Sequence, residues 1–251
     1  MLRPVLESRA AIGTFLKLPR PEVVSLLALA GFDFVICDLE HAQIDERECR
    51  NVLLAAAADG LPVIVRVAQL DRGVVNRLLE AGAAGIQLPR TRTAQDAADL
   101  CSLLRYPPDG NRSISQAQRA ARYGAEPLPE YLAASNAAVL AVGQFETADL
   151  PERLDDVVAL LDVAFIGSVD LSVDAGHPGD ESAPAVRRVV ERVEAAAART
   201  GCHLGIFAPD ARRAAAAVAG GYKYVAVAAD VTMLRRGAAD LIGDLAEGSG
   251  S

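Results

Sequence analysis

The sequence predicts an α/β chain folded as one (β/α)8 barrel, eight parallel strands each followed by a helix. Three observations carry that expectation. Short β-rich runs alternate with longer helical patterns from one end of the 251 residues to the other, eight times over. The strand candidates are nearly continuous apolar runs, which is what parallel strands covered on both faces require. No break in composition marks a second domain, and no GxGxxG follows the first strand, so a dinucleotide-binding open sheet loses ground. The barrel is placed over residues 1–246, with EGSGS at 247–251 as a flexible tail.

The first strand falls at 12–18, and the helix behind it at 21–30 opens on Pro21 and closes on Gly31. A strand at 32–38 leads to a helix at 46–59 that Gly60 ends. The third strand, 62–67, precedes a helix at 72–81 and Gly82. The fourth, 85–89, precedes a helix at 94–105. The fifth spans 138–144 with a helix at 150–161, and the sixth 163–167 with a helix at 184–200. The seventh and eighth, 203–207 and 224–228, are followed by a helix at 210–219 and a last helix that runs to about 246. Two connections, 106–127 and 172–183, are too long for simple turns, a length that in compact domains usually signals function or disorder.

Composition narrows the partners. A formal charge of −8 offers no basic footprint for a phosphate backbone, so nucleic acid is not expected. The run 157–169 is broken by Asp162, and no apolar stretch reaches bilayer length. The first residues, MLRPVLESRAAIG, lack the apolar core of a signal peptide, and a cytoplasmic protein is expected. Cys37, Cys49, Cys101 and Cys202 form no tight pair and read as isolated thiols. Lys17 and Lys223 are the only lysines, which limits where Schiff-base chemistry is possible.

In a barrel of this kind chemistry sits at the C-terminal ends of the strands. There the sequence presents Lys17, then Asp38, Glu40 and His41, then Arg66, then Gln144 and Glu146, then Asp170, and finally Asp230. Each has an ordinary explanation: Asp230 as a helix cap, Asp170 as a loop carboxylate, His41 as a surface residue, Arg66 as half of an ion pair. His177 and His203 have no clustered partners and read as structural. The set makes sense together. Glu146 and Asp170, on adjacent strand ends, offer hard oxygen ligands that suit Mg²⁺, Mn²⁺ or a similar cation. Arg66 supplies a permanent charge and a planar fork for an oxyanion or carboxylate. His41, beside Asp38 and Glu40, suits proton transfer near neutral pH. A 2-oxo acid held there becomes acidic at C3.

The runs GFDFVICDLEHAQID, VIVRV, GIQLPR, RYPPDGNR, GQFET and FIGSVDLSVDAG, in this order over about residues 11–240, resemble the HpcH/HpaI aldolases. The resemblance implies a barrel of the phosphoenolpyruvate/pyruvate-binding type, a divalent metal (Mg²⁺, Mn²⁺ or Co²⁺) and a homo-oligomer, hexamer or trimer. It implies Glu146 and Asp170 as metal ligands, Arg66 against the ketone oxygen, and His41 as acid/base through a water. Gln144 would touch bound substrate, Asp38 would stand near the metal's waters, and backbone amides at Ser168, Val169 and Asp170 would receive the pyruvate carboxylate. Glu80 takes the place of an acidic residue that supports the histidine across a subunit interface. Ser113, Ser115 and Ser168 depart from the family pattern and are expected to reshape the pocket, its mouth above all.

The expected activity is cleavage or formation of the C3–C4 bond of a 4-hydroxy-2-oxo acid, giving pyruvate and an aldehyde through a metal-stabilised enolate. The rivals are another enolate reaction (CoA-thioester lyase, or oxaloacetate decarboxylation with a different acceptor), a Schiff-base aldolase on Lys17, and a non-catalytic binding protein.

Overall fold

The computed structural model describes residues 1–248. Its strands are β1 (Ala11–Leu16), β2 (Phe34–Asp38), β3 (Val63–Arg66), β4 (Gly85–Leu88), β5 (Leu140–Phe145), β6 (Val163–Ile166), β7 (His203–Ala208) and β8 (Tyr224–Ala229). Every neighbouring pair is parallel, and β8 pairs back onto β1 to close the barrel. The expected fold is therefore observed.

The helices are α1 (Arg3–Ser8), α2 (Pro21–Leu29), α3 (Glu46–Ala58), α4 (Arg72–Ala81), α5 (Ala94–Leu104) and α6 (Leu128–Ala138). They continue with α7 (Leu154–Val158), α8 (Ser168–Asp174), α9 (Pro184–Thr200), α10 (Ala211–Ala219) and α11 (Asp230–Gly248). Several start where the sequence supplies a cap. Asp45 and Glu48 form a reciprocal capping box at α3, Thr93 and Asp96 do so at α5, and Gly82 closes α4 in the left-handed region. Of the expected tail over 247–251, α11 takes the first two positions, and 249–251 lie outside the described residues. No described helix is long and apolar enough to cross a membrane.

Two period-2 faces explain the core. Outward strand residues and the apolar stripes of the helices form one layer, including Val35, Cys37, Val63, Val65, Ile86, Ala141 and Ala164. Inward residues fill the barrel: Phe15, Phe34, Ile36, Ile64, Leu140, Val142, Val163, Phe165 and Tyr224. Gly13 makes room for this filling, since a Cβ there would stand 2.4 Å from the Phe34 ring. Above the aromatic layer the same inward register continues as polar residues, with Asp38 opposite Arg66 across β2 and β3. That change, from apolar to polar along one inward face, creates the site.

The structure corrects several boundaries. The 106–127 connection carries a 3₁₀ segment at Arg119–Gly124 and runs into α6, an element the sequence pattern did not reveal. The helix expected over 150–161 shrinks to α7. The irregular segment expected at 172–183 begins inside α8, so Asp170 is a first-turn helical residue rather than a loop carboxylate. All four cysteines are free, and Cys37 and Cys49 are buried.

Candidate active site

A cleft of about 290 Å³ opens at the C-terminal rim of the barrel. Its polar lining is Lys17, His41, Arg66, Gln144 and the stretch Gly167, Ser168, Val169, Asp170; Phe15, Phe165 and Phe207 form its apolar wall. The position is the one that (β/α)8 enzymes use, because the loops after the strands are free to vary over a rigid wall.

Arg66 reaches the cleft as the last, inward residue of β3. Its Nε and Nη2 donate to the two oxygens of Asp38 at 2.9 and 2.8 Å, a bidentate fork. Nη1 stands 3.4 Å from Glu40 Oε2, and the guanidinium lies 4.8 Å from the centre of the Phe15 ring. Asp38 is fully buried and takes three further donors: Lys17 Nζ at 2.6 Å and the amides of Glu40 and His41 at 3.2 Å. Burial pushes its carboxyl up, but the Arg66 fork and Lys17 outweigh this and hold it well below the usual carboxylate range. Asp38, expected beside the metal's waters, is thus spent on fixing Arg66 and Lys17, and both its oxygens are occupied by donors.

A carboxyl depressed in the folded state contributes stability above its ordinary value, and the contribution drains away as pH falls towards the folded one. Asp38→Asn is expected to cost about 3–5 kcal/mol at neutral pH, because Arg66 and Lys17 are left without their counter-charge. It should also flatten the fall of the thermal midpoint below about pH 4, where the unfolded carboxyl begins to protonate. Midpoints measured from pH 6 to 2.5 decide this. Parallel curves for wild type and variant would remove Asp38 from the acid response.

Lys17 is placed by Asp230, whose carboxylate accepts the amides of Lys17, Leu18 and Val231. Asp230 therefore opens α11 and also ties the end of β1 to it. Lys17 Nζ donates to Asp38 and, at 3.3 Å, to the carbonyl of His41. It acts as a donor within an ion pair, a poor arrangement for a nucleophilic amine.

Glu146 follows β5 and is buried. Its Oε1 accepts the amide of Arg90 at 2.8 Å, and its Oε2 accepts the side-chain amide of Gln144. Arg90 takes φ +50, a left-handed conformation that costs a non-glycine residue roughly 1–2 kcal/mol and here turns its amide onto Glu146. A Cβ at Gly167 would meet Glu146 Oε2 at 3.0 Å, so the glycine lets the carboxylate lie against the next strand end. Burial raises the Glu146 carboxyl above its ordinary value; Gln144 and the Arg90 amide oppose this, and the nearby Asp170 charge adds to it. Glu40 is raised in the same sense, chiefly by burial.

Glu146 and Asp170 thus share one rim on neighbouring strand ends and repel each other. Among the described residues no group of three or more His, Cys, Asp or Glu stands close enough to hold a metal. The pair fits a hard divalent cation that takes its remaining ligands from substrate and water, and such a charge would relieve both the burial and the repulsion. Beside it the first amides of α8 have no partner within the helix, Gly167 supplies no side-chain cap, and the buried Ser168 hydroxyl has no partner.

The expected site residues divide accordingly. Arg66, Gln144, Ser168, Val169 and Asp170 line one cleft, and Glu146 stands directly behind it, bonded to Gln144 and packed against Gly167. His41 lines it with an imidazole more than half exposed, 3.7 Å from Glu40 Oε2. Glu80 is not brought to this site: it accepts from Asn76 at 3.1 Å and lines a separate cleft with Arg77 and Arg119. Ser113 and Ser115, expected at the mouth, do not line the cleft. Phe15, Arg90 and Gln87 were missed. Phe15 and Gln87 lie within strands and Arg90 just after one, and nothing in their local sequence says which way they face.

With that geometry in hand, comparison with known proteins is specific. A model of the HpcH/HpaI aldolase/citrate lyase family matches residues 11–237. The hydroxypyruvate/pyruvate aldolase of Paraburkholderia phytofirmans is 33% identical over 238 residues, covering 92% of this chain and 91% of that one. The 5-keto-4-deoxy-D-glucarate aldolase of Klebsiella pneumoniae subsp. pneumoniae is 32% identical, covering 89% and 88%. The crystal structure of the HpcH/HpaI aldolase from Desulfitobacterium hafniense DCB-2 superposes with a TM-score of 0.92 at 30% identity, covering 98% and 96%. The match spans the barrel and every strand end that builds the cleft, and the chain belongs to the HpcH/HpaI aldolase/citrate lyase family.

Proposed function

We propose that this chain is a metal-dependent aldolase, a carbon–carbon lyase that cleaves or forms the C3–C4 bond of a 4-hydroxy-2-oxo acid to give pyruvate and an aldehyde. The relatives' aldolase names support the reaction type. One observation carries the reading: Glu146 and Asp170 repel each other at one rim of the barrel, where Asp170 lines a cleft with Arg66 and the residues that open α8, and Glu146 stands behind Gly167 and Gln144 of that lining.

Glu146 and Asp170 are the residues that would hold Mg²⁺, Mn²⁺ or Co²⁺, which when bound acts as a Lewis acid on the 2-oxo group. The amides of Ser168, Val169 and Asp170 receive the substrate carboxylate. Arg66, locked by Asp38, directs its charge at the 2-oxo oxygen, where negative charge gathers as the C3–C4 electrons move in. His41, at the mouth, takes the proton of the C4 hydroxyl through a water, and the C4 fragment leaves as an aldehyde. A proton delivered to C3 completes pyruvate, and addition runs the same steps in reverse.

Assembly belongs to this proposal. Leu234, Leu241 and Ile242 on α11 are exposed, and such a surface supports association with further copies. Glu80 would meet His41 only across that kind of boundary.

The test is solvent deuterium exchange into the methyl group of pyruvate. Exchange is expected with added Mn²⁺ or Mg²⁺ and should vanish with a chelator. Exchange that persists under chelation, or none at any metal concentration, would overturn the assignment.

A further inference from the structure

The interior of an apolar barrel is a costly place for an amide, roughly 1–3 kcal/mol if its hydrogen bonds go unmade. Gln87, fully buried on β4, nevertheless sits there. Its Nε2 donates to Gln144 Oε1 at 2.5 Å, and its Oε1 accepts from Tyr224 Oη, across the barrel on β8, at 3.5 Å. Gln144 Nε2 in turn donates to Glu146 Oε2. The line therefore runs Tyr224, Gln87, Gln144, Glu146, and each link donates to the next.

Its direction is dictated from the far end. An ionised carboxylate only accepts, so Gln144 must face Glu146 with its NH₂ group and turn its carbonyl to Gln87. Gln87 must then present its own NH₂, which leaves its carbonyl for Tyr224, and a phenol has one proton to give. Without a donor at position 87, the buried Gln144 carbonyl loses its partner, and only Glu146 itself still opposes rotation of the Gln144 amide away from the carboxylate.

We propose that Gln87 is a positioning residue: with Tyr224 behind it, Gln87 locks the amide orientation of Gln144 and through it the carboxylate of Glu146. The inference rests on the reading of Glu146 as a cation ligand. It assigns two further residues, neither of which touches the cleft, to the strength of that ligand.

The experiment measures Mn²⁺ affinity by titration calorimetry on the full-length protein, alongside the thermal midpoint of the metal-free form and the exchange assay. Gln87→Met keeps the shape and removes the donor. It is expected to weaken Mn²⁺ binding about tenfold, the low end for loss of a group that orients a ligand, with a comparable rise in the Mn²⁺ concentration needed for exchange. Tyr224→Phe should shift both in the same direction, about twofold to threefold. A residue that merely fills the core would move the midpoint and leave the affinity alone. Mn²⁺ affinity within 1.5-fold of wild type in Gln87→Met therefore overturns the proposal. Should that variant fail to fold, an unchanged affinity in Tyr224→Phe does so instead. Wild-type protein that neither binds Mn²⁺ nor exchanges pyruvate protons defeats the ligand reading itself, a result distinct from wild-type binding that survives in Gln87→Met.

Discussion

Glu146→Gln is expected to lower metal-dependent exchange of pyruvate by roughly 10²–10⁴-fold, the loss of several kcal/mol of Lewis-acid assistance at the reacting ketone. The shape of the side chain is unchanged, so the effect isolates its charge. Stability should respond differently. Burial and the neighbouring Asp170 raise the Glu146 carboxyl, so its ionised form is a burden on the metal-free protein at neutral pH. For a carboxyl raised in the folded state, that burden is complete above the folded value and lifts as pH falls through it. Glutamine removes the burden but leaves either the Arg90 amide or the Gln144 amide without an acceptor, a cost of about 1 kcal/mol. The two effects oppose, and the metal-free midpoint should move little. Added Mn²⁺ should raise the midpoint of wild type and not of the variant, since only a state that binds the ion is stabilised by it. A variant that retains both exchange and the Mn²⁺ shift would remove Glu146 from the ligand set.

The barrel was legible because its strands are apolar runs bounded by glycine and proline, a signal carried within each run. The rim residues Arg66 and Glu146 stood out because charge recurs at the ends of several such runs, a set that no single ordinary explanation covers. The partnership of Asp38 was not. Its fork with Arg66 is set by the register of β2 on β3, a contact between residues 28 apart that no local pattern encodes. Gln87 is harder still, since one amide inside GIQLP looks like an outward strand residue until Tyr224 and Gln144 are seen beside it. The start of α8 was hidden because Gly167 offers no capping side chain, and for the same reason the amides there are left for another acceptor.

Arg66→Lys separates the two roles proposed for Arg66, a partner of Asp38 and a donor to substrate. Lysine keeps a positive charge for Asp38 but presents a point charge in place of the planar fork. The planar fork on Asp38 is lost, although Lys17 and the amides of Glu40 and His41 remain on that carboxylate, so the fold should survive. On the proposed mechanism the donor to the ketone oxygen is lost, and removal of one such preorganised donor typically costs about 10²–10³ in rate. Because the interaction strengthens only as charge gathers on that oxygen, the fall is expected in kcat with a smaller change in KM for the 2-oxo acid. Arg66→Ala should add a stability loss of about 3–5 kcal/mol by stripping a buried carboxylate of its principal partner. The pair of variants thus distinguishes a donor from a prop. If Arg66→Lys kept kcat within a few-fold of wild type while Arg66→Ala lost it together with the fold, Arg66 would be holding Asp38 and nothing more. A kcat that collapses in Arg66→Lys at a near-native midpoint places the guanidinium at the reacting oxygen.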